Sequence, residues 1–271
     1  MSVGLMSGPP TALPRTAAVI GLGLIGGSLA LRLREIGLRV LGIDINPAPL
    51  DLARRRGAVD ATSTTLEPVG QAELVIIATP LADVAQVGMA AARRMRAGAV
   101  LTDTASVKAP VVAALHAALP AGTRFVGGHP MAGNEKQGME AADAALLDGR
   151  PFVLTPTART DEGAVTALQA VIRAMRMRPV LLDPLQHDEL VAQVSHLPYL
   201  VSLALEQAIA DDARAIGGPA MADMTRVARS PRALWTEIVR ANREPILRAL
   251  ARFDAELARV RREVEEEVPT R

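Results

Sequence analysis

The chain of 271 residues has no cysteine, one tryptophan, one tyrosine and only two lysines. Without cysteine there are no disulfides, thiolate nucleophiles or cysteine-ligated clusters, which fits a reducing cytoplasm. No apolar run reaches the ~18 residues that span a membrane. The net charge of +1 gives no electrostatic reason to expect nucleic acid as a partner. We therefore expect a cytoplasmic protein that binds neither nucleic acid nor a membrane.

Two patterns divide the sequence. Strand and helix patterns alternate over residues 15–183, which predicts a Rossmann-type, doubly wound and mainly parallel sheet. Only helical patterns follow over residues 184–271, which predicts an all-α second domain. Residues 1–14 carry Gly, Ser and Pro without a basic start or an apolar run, which indicates a disordered lead and not a signal peptide.

A glycine-rich turn follows the first predicted strand, with Gly21, Gly23 and Gly26 in the spacing G-x-G-x-x-G. The first glycine permits the tight turn, the second lets a pyrophosphate approach the backbone, and the third lets the helix pack on the strand. The N–H groups and the dipole at the helix start then favour phosphates. A plain structural turn is the alternative, but the strand, the helix and Asp44 further on favour dinucleotide binding.

Asp44 ends the second predicted strand, where its carboxylate accepts hydrogen bonds from ribose hydroxyls and repels the 2′-phosphate of NADP. The expected cofactor is therefore NAD, although an ordinary capping aspartate is the structural alternative. The predicted cofactor-binding residues lie in the turn and at strand ends: Gly21, Leu22, Gly23, Leu24, Ile25, Gly26, Asp44 and Thr79.

Chemistry is expected at the carboxyl ends of the strands, where open parallel sheets bind ligands. His129 follows the short predicted strand Phe125-Val126 in a loop, and Ser106 follows another strand. A histidine there can take a proton from a hydroxyl while hydride leaves the same carbon. No metal site is predicted, because His187 and His196 are nine residues apart and no metal motif is present.

The helical region offers further candidates. Arg226 suits bidentate binding of a carboxylate, although a solvated helix face is the structural alternative. Tyr199 and Trp235 have polar tips that suit a pocket wall, although both could lie in a core. Pro198 is expected to interrupt a long helix that starts near Asp188, and Ser230 is expected to cap a later helix.

The last helix carries apolar residues at alternating steps of four and three: Ile246, Leu250, Phe253, Leu257, Val260 and Val264. This heptad pattern is typical of a helix that packs against another helix along one seam. The seam either docks on the helix near Asp188 within the same chain or joins two chains in a homodimer, and we expect the homodimer.

Several spaced motifs resemble the prephenate and arogenate dehydrogenases of tyrosine biosynthesis. They are the segments Gly127-Gly128-His129-Pro130-Met131-Ala132-Gly133, Glu135-Lys136-Gln137-Gly138, Asp103-Thr104-Ala105-Ser106-Val107-Lys108, Gln186-His187-Asp188, Ser195-His196-Leu197-Pro198 and Thr225-Arg226-Val227-Ala228, together with Trp235. The resemblance runs from Val19 to the final helix.

The resemblance implies a cyclohexadienol substrate that loses hydride to nicotinamide and its ring carboxylate as CO2. His129 would take or bind the hydroxyl proton beside Ser106, and Arg226 would bind a substrate carboxylate. Glu135, His187 and Trp235 match residues near the site, and a dimer through the C-terminal helices is implied.

The chain departs from the family pattern at two positions. Tyr199 replaces a common histidine, and Ala222 replaces a common basic residue four before the arginine. These departures leave the choice between prephenate and arogenate open. Two other kinds of protein remain as alternatives: another two-domain nicotinamide oxidoreductase, such as a β-hydroxyacid dehydrogenase or imine reductase, and a non-catalytic NAD sensor.

Overall fold

A computed structural model describes residues 12–266. The chain separates into two compact units, with the division between Pro184 and Leu185. Most of the disordered lead expected at residues 1–14 lies outside the described residues, and residues 12–14 form neither helix nor strand.

The first unit is built on an eight-stranded sheet. Its strands are β1 Thr16–Ile20, β2 Arg39–Ile43, β3 Ala61–Ser63, β4 Leu74–Ile77, β5 Val100–Asp103, β6 Arg124–Pro130, β7 Pro151–Thr155 and β8 Arg178–Leu181. They are arranged in the order β3-β2-β1-β4-β5-β6-β7-β8. Every pairing is parallel except that of β6 with β7, which is antiparallel. The doubly wound, mainly parallel sheet expected from the sequence is confirmed.

Helices connect these strands. They are α1 Leu24–Glu35, α2 Pro47–Arg55, α3 Val84–Ala92, α4 Ala109–Ala118 and α5 Glu162–Ala174. Short 3-10 helices lie at Glu67–Gln71, Leu81–Asp83, Met139–Ala141 and Ala144–Leu147. The boundaries follow local chemistry: Asn46 caps α2 by accepting a hydrogen bond from the Ala48 N–H at 3.1 Å, with Pro47 in the first turn.

The apolar run of β4 is explained by burial on both faces of the sheet. Leu74 and Ile76 belong to one hydrophobic cluster, whereas Val75 and Ile77 belong to the cluster on the other face. Successive side chains of a strand point to opposite faces, so a strand covered by helices on both sides needs apolar residues at every position. The same division separates Val19 from Ile20 in β1.

One sequence expectation about this unit was wrong, and one strand was missed. The strand predicted at Phe125-Val126 continues to Pro130, so His129 lies in β6 opposite Val153 and not in a loop. The glycines Gly127 and Gly128 suggested a loop because glycine weakens strands. The edge strand β3 was not predicted, because its three residues carry no apolar run.

The second unit is helical throughout its described residues. Its helices are α6 Pro184–Val191, α7 Leu197–Ala208, α8 Asp211–Arg214, α9 Pro219–Thr225, α10 Arg232–Ala241 and α11 Arg243–Glu265, with a 3-10 helix at Arg226–Arg229. The segment Ala192–His196 between α6 and α7 is π-helical. Pro198 has no N–H for the α-helical bond to the Val194 carbonyl, and the wider turn forms just before it.

The expectation that Ser230 caps the following helix was wrong. Pro231 occupies the N-cap position of α10, and no side chain caps that end.

The seam of α11 is divided between a buried and an exposed half. Ile246 is buried in a small cluster with Ala192 and Ala249, and Leu250 packs against the same cluster. Leu257 and Val264 are 53% and 69% exposed. The first half of the seam therefore docks within the unit, as the intramolecular alternative expected, whereas the second half does not.

Candidate functional site

The glycine-rich loop lies between β1 and α1, at the point where the strand order reverses between β1 and β4. Gly21 has φ +92°, and a side chain there would meet the Ala78 carbonyl oxygen at 2.5 Å. A Cβ on Gly26 would lie 1.9 Å from the Gly21 oxygen. Both positions therefore require glycine, as the sequence indicated.

Gly23 differs, because a Cβ there would meet no atom within 4 Å. It is the N-cap of α1, and the first turn of α1 carries no acidic residue. The N–H groups that open a helix have no acceptor inside it, and they favour an anion. The open space at Gly23 therefore fits a pyrophosphate against this helix start.

Asp44 and Thr79 follow the ends of β2 and β4, the two strands that flank β1. Asp44 Oδ2 accepts the Leu22 N–H at 2.9 Å, and its Oδ1 accepts the Asn46 N–H at 2.9 Å. Each carboxylate oxygen keeps a further lone pair for a ribose hydroxyl. Thr79 Oγ1 is buried and has no partner among the described residues, as expected of a group that binds a ligand or water.

His129 lies in β6, and Ser106 lies in the loop that follows the neighbouring strand β5, toward the same edge of the sheet. His129 is 8% exposed and is the last residue but one of β6. Ser106 is half-buried and follows the end of the adjacent strand β5 by three residues. Both residues therefore lie at the edge of the sheet that also carries the glycine-rich loop. Parallel sheets bind their ligands at this edge.

A buried ion pair behind these residues was not predicted from the sequence. Lys108 Nζ donates to Asp103 Oδ2, and both side chains are 0% exposed. Lys108 also donates to the Gly128 carbonyl at 2.6 Å, and Asp103 Oδ1 accepts the Gly128 N–H at 3.0 Å. The available signal was that Lys108 is one of only two lysines in the chain.

In the second unit, the rings of Tyr199, Trp235 and His196 form one aromatic cluster. The rings of Tyr199 and Trp235 stack with centroids 3.8 Å apart and an interplanar angle of 1°. His196 meets Trp235 edge-on at 5.9 Å. Tyr199 is 3% exposed, and Trp235 Nε1 is buried without a partner among the residues the structure describes. Tyr199 therefore contributes to core packing as much as to any pocket wall.

Polar groups surround His196 as well. Asn242 donates to His196 Nδ1 at 3.1 Å and to the Asp188 carbonyl at 2.8 Å. The pKa of His196 is lowered to about 4, chiefly by burial; the Asp188 carboxylate opposes this shift, and the nearby His187 adds to it. His187 is fully buried, and its Nδ1 donates to Asp188 Oδ1 at 2.8 Å. Both histidines are therefore integrated in the interior of this unit.

Two predicted substrate-binding residues lie nearer the surface. Arg226 is exposed and opens the 3-10 helix Arg226–Arg229. Glu135 is half-buried in a stretch of the first unit that forms neither helix nor strand.

Within residues 12–266, no group of three or more His, Cys, Asp or Glu side chains is arranged to hold a metal ion. The same part of the chain contains no helix that is long and apolar enough to cross a membrane.

The doubly wound sheet and the glycine-rich loop at its switch point define a dinucleotide-binding α/β protein. The family model "Prephenate dehydrogenase, nucleotide-binding domain" matches residues 29–181, beginning just after the loop. The model "Prephenate dehydrogenase, dimerization domain" matches residues 183–269.

Individual proteins agree with these matches. Prephenate dehydrogenase of Bacillus subtilis is 32% identical over 262 residues, which cover 93% of this chain and 71% of that protein. The structure of A. aeolicus prephenate dehydrogenase with hydroxyphenyl propionate and NAD+ superposes with a TM-score of 0.85 and 30% identity, covering 93% and 91% of the two chains. The structure of Synechocystis arogenate dehydrogenase superposes with a TM-score of 0.79 and 29% identity, covering 93% of this chain and 92% of that chain. The chain belongs to the prephenate dehydrogenase family.

Proposed function

We propose that this protein catalyses the NAD-dependent oxidative decarboxylation of prephenate to 4-hydroxyphenylpyruvate, of arogenate to tyrosine, or of both. Family membership supports the reaction. The observation that carries it to particular residues is the position of His129, buried at the sheet edge that also bears the glycine-rich loop. Neither a different two-domain oxidoreductase family nor an NAD sensor accounts for both the family match and the position of His129.

The residues at this edge fit NAD. The open backbone at Gly23 suits the pyrophosphate, and the Asp44 carboxylate suits the ribose hydroxyls. When bound, NAD supplies the acceptor for the hydride. We assign the loop residues Leu22, Leu24 and Ile25 and the orphaned hydroxyl of Thr79 to the same cofactor site.

His129 acts on the substrate hydroxyl. As that carbon loses its hydride, the neutral imidazole takes the hydroxyl proton, and Ser106 orients the hydroxyl or the histidine. The bond to the ring carboxylate then breaks, CO2 leaves, and the electron pair of that bond passes through the ring to the new carbonyl oxygen, which takes the proton back and becomes the phenol hydroxyl. The ring becomes aromatic, which makes the reaction strongly favourable.

The helical unit is assigned to substrate binding and assembly. Arg226 binds a substrate carboxylate, and His187, Tyr199 and Trp235 contribute to substrate recognition together with Glu135 of the first unit. The exposed half of the α11 seam, with Leu257 and Val264, supports a homodimer through the C-terminal helices. The description of the second matching family model as a dimerization domain supports the same assembly. The cytoplasmic location stays a prediction.

The test is to supply NAD with prephenate and arogenate in parallel assays and to measure NADH and CO2. We expect equal amounts of both products with at least one substrate. NADH without CO2 would indicate a simple alcohol dehydrogenase, and no turnover of either substrate would refute the proposal.

A further inference from the structure

The ion pair of Asp103 and Lys108 is unusual because both side chains are completely buried. Charged residues are almost never fully buried unless they are paired, since leaving water carries a large desolvation cost. Replacing such a pair by apolar residues is often neutral or stabilising. Stability alone therefore does not explain why two charges lie between β5 and β6.

The bonds of this pair converge on one residue beside the proposed catalytic histidine. Asp103 accepts the Gly128 N–H at 3.0 Å, and Lys108 donates to the Gly128 carbonyl at 2.6 Å. That carbonyl belongs to the peptide that joins Gly128 to His129. Both polar backbone groups of Gly128 are thus held by opposite charges, which form stronger hydrogen bonds than neutral groups do.

The same carboxylate also reaches the loop that carries Ser106. Asp103 Oδ2 accepts the Ala105 N–H at 3.0 Å, one residue before the serine. One aspartate side chain therefore bonds to the backbone beside both proposed catalytic residues.

The close packing around Gly128 leaves no room for a side chain. A Cβ there would lie 2.5 Å from the Asp103 carbonyl oxygen and 2.6 Å from Thr102 Oγ1. Glycine lets β6 approach β5 at this point, but it also removes the side chain that would restrict the backbone. By bonding to the Gly128 N–H and carbonyl, the ion pair restricts the backbone conformation that glycine leaves free.

We propose that Asp103 and Lys108 are positioning residues, which fix the backbone of His129 and Ser106 in the geometry needed for proton transfer. They act through Gly128 and Ala105 and do not touch the substrate. This inference rests on the proposed function of His129 and Ser106.

The test compares Lys108→Met, Asp103→Asn and the double variant with both changes. Each single change leaves one buried charge without its partner, so these variants are expected to be destabilised. The double variant removes both charges and is expected to recover much of the stability. Because misplacement by about 1 Å can cost about 10²-fold in rate, we expect kcat of the double variant to be about 10- to 100-fold below wild type. KM for NAD and for the substrate should change by less than about threefold, because no binding contact is removed.

Arg32→Met is the matched control. Arg32 is also a buried cation, with ion pairs to Glu35 and Asp148 and a bond to the Ala144 carbonyl, and it has no assigned part in the chemistry. We expect it to lower the melting temperature but to leave kcat near wild type when assayed well below that temperature.

A second readout does not depend on activity. The chain has four histidines, so NMR of protein labelled at the imidazole carbons gives four ring signals, and the His129 signal is assigned from its alanine variant. In the double variant we expect the His129 signal to move or broaden while the signals of His187 and His196 stay in place. In Arg32→Met all four signals should stay.

A double variant with wild-type kcat, or an unchanged His129 signal in that variant, would overturn the inference. A kcat that simply follows melting temperature across all four variants would also overturn it. If wild type oxidised neither substrate, the proposed function would fail, but the NMR comparison would still decide whether the ion pair positions His129.

Discussion

At the scale of single residues, Arg226 and Arg229 form a natural pair for comparison, because both are exposed in the same 3-10 helix. We expect Arg226→Ala to raise KM for the substrate about 10- to 100-fold, the range for a hydrogen bond to a charged group. The contact exists in ground and transition states alike, so kcat should change little. Steady-state kinetics check this, with Arg229→Ala as the control. Equal KM values for the two variants would return Arg226 to a solvated surface role.

Asp44 is expected to set the choice of cofactor. Its carboxylate accepts the Leu22 N–H, and at the end of β2 it is expected to repel a 2′-phosphate. We expect wild type to prefer NAD, and we expect Asp44→Ser to narrow the ratio of kcat/KM for NAD over NADP by about tenfold, or about 1.4 kcal/mol. Kinetics with both cofactors measure the ratio. Equal use of both by wild type would contradict the assignment.

The positions of Gly21, Gly26 and Asp44 could be predicted from the sequence because their roles depend on local backbone geometry. The burial of Lys108 could not be predicted, because lysine is normally exposed and its partner Gly128 lies twenty residues further on, in β6. The stacking of Tyr199 on Trp235 could not be predicted either, since the two residues lie in different helices.

At the scale of elements, the π-helical segment Ala192–His196 buries an imidazole whose pKa is lowered to about 4, mainly by burial. The amide of Asn242 donates to its Nδ1, which requires that nitrogen to be unprotonated. The neutral form is thus part of the native fold.

The consequence is a loss of stability in acid. The contribution of His196 is complete above pH 6.5, the ordinary histidine pKa, and it is lost progressively as the pH falls from there to about 4, by up to about 3 kcal/mol. We expect wild type to lose more of its unfolding free energy between pH 7 and pH 5 than His196→Gln does. Urea unfolding at both pH values tests this, and equal losses in the two proteins would contradict it.

Element boundaries show where sequence patterns reach their limit. The buried strand β4 was predictable because its apolar run is forced by burial on both faces. The end of β6 was not, because Gly127 and Gly128 usually mark a loop, whereas here they admit the close approach of Thr155 and Asp103. That approach depends on β5 and β7, which local sequence does not reveal.

At the scale of the whole molecule, the dimer proposed above would use the exposed half of the α11 seam. We expect wild type to sediment as a dimer at micromolar concentration. Changing Leu257 and Val264 together to Asp should dissociate it without unfolding the chain, because both side chains are exposed within one protomer. Ile216→Asp, at a position 88% exposed outside the seam, is the control. A monomeric wild type would rule out the dimer.

The most direct test of the proposed function is turnover by His129→Ala, measured as NADH and CO2 formed per substrate consumed. We expect kcat to fall about 10²- to 10⁴-fold, the usual contribution of a positioned acid–base group, with a smaller change in KM. His116→Ala, a half-buried histidine that packs edge-on against Phe125, is the matched control and should keep near-native turnover. If His129→Ala forms NADH and CO2 at the rate of wild type, His129 is not the proton acceptor and the mechanism proposed for this protein is wrong.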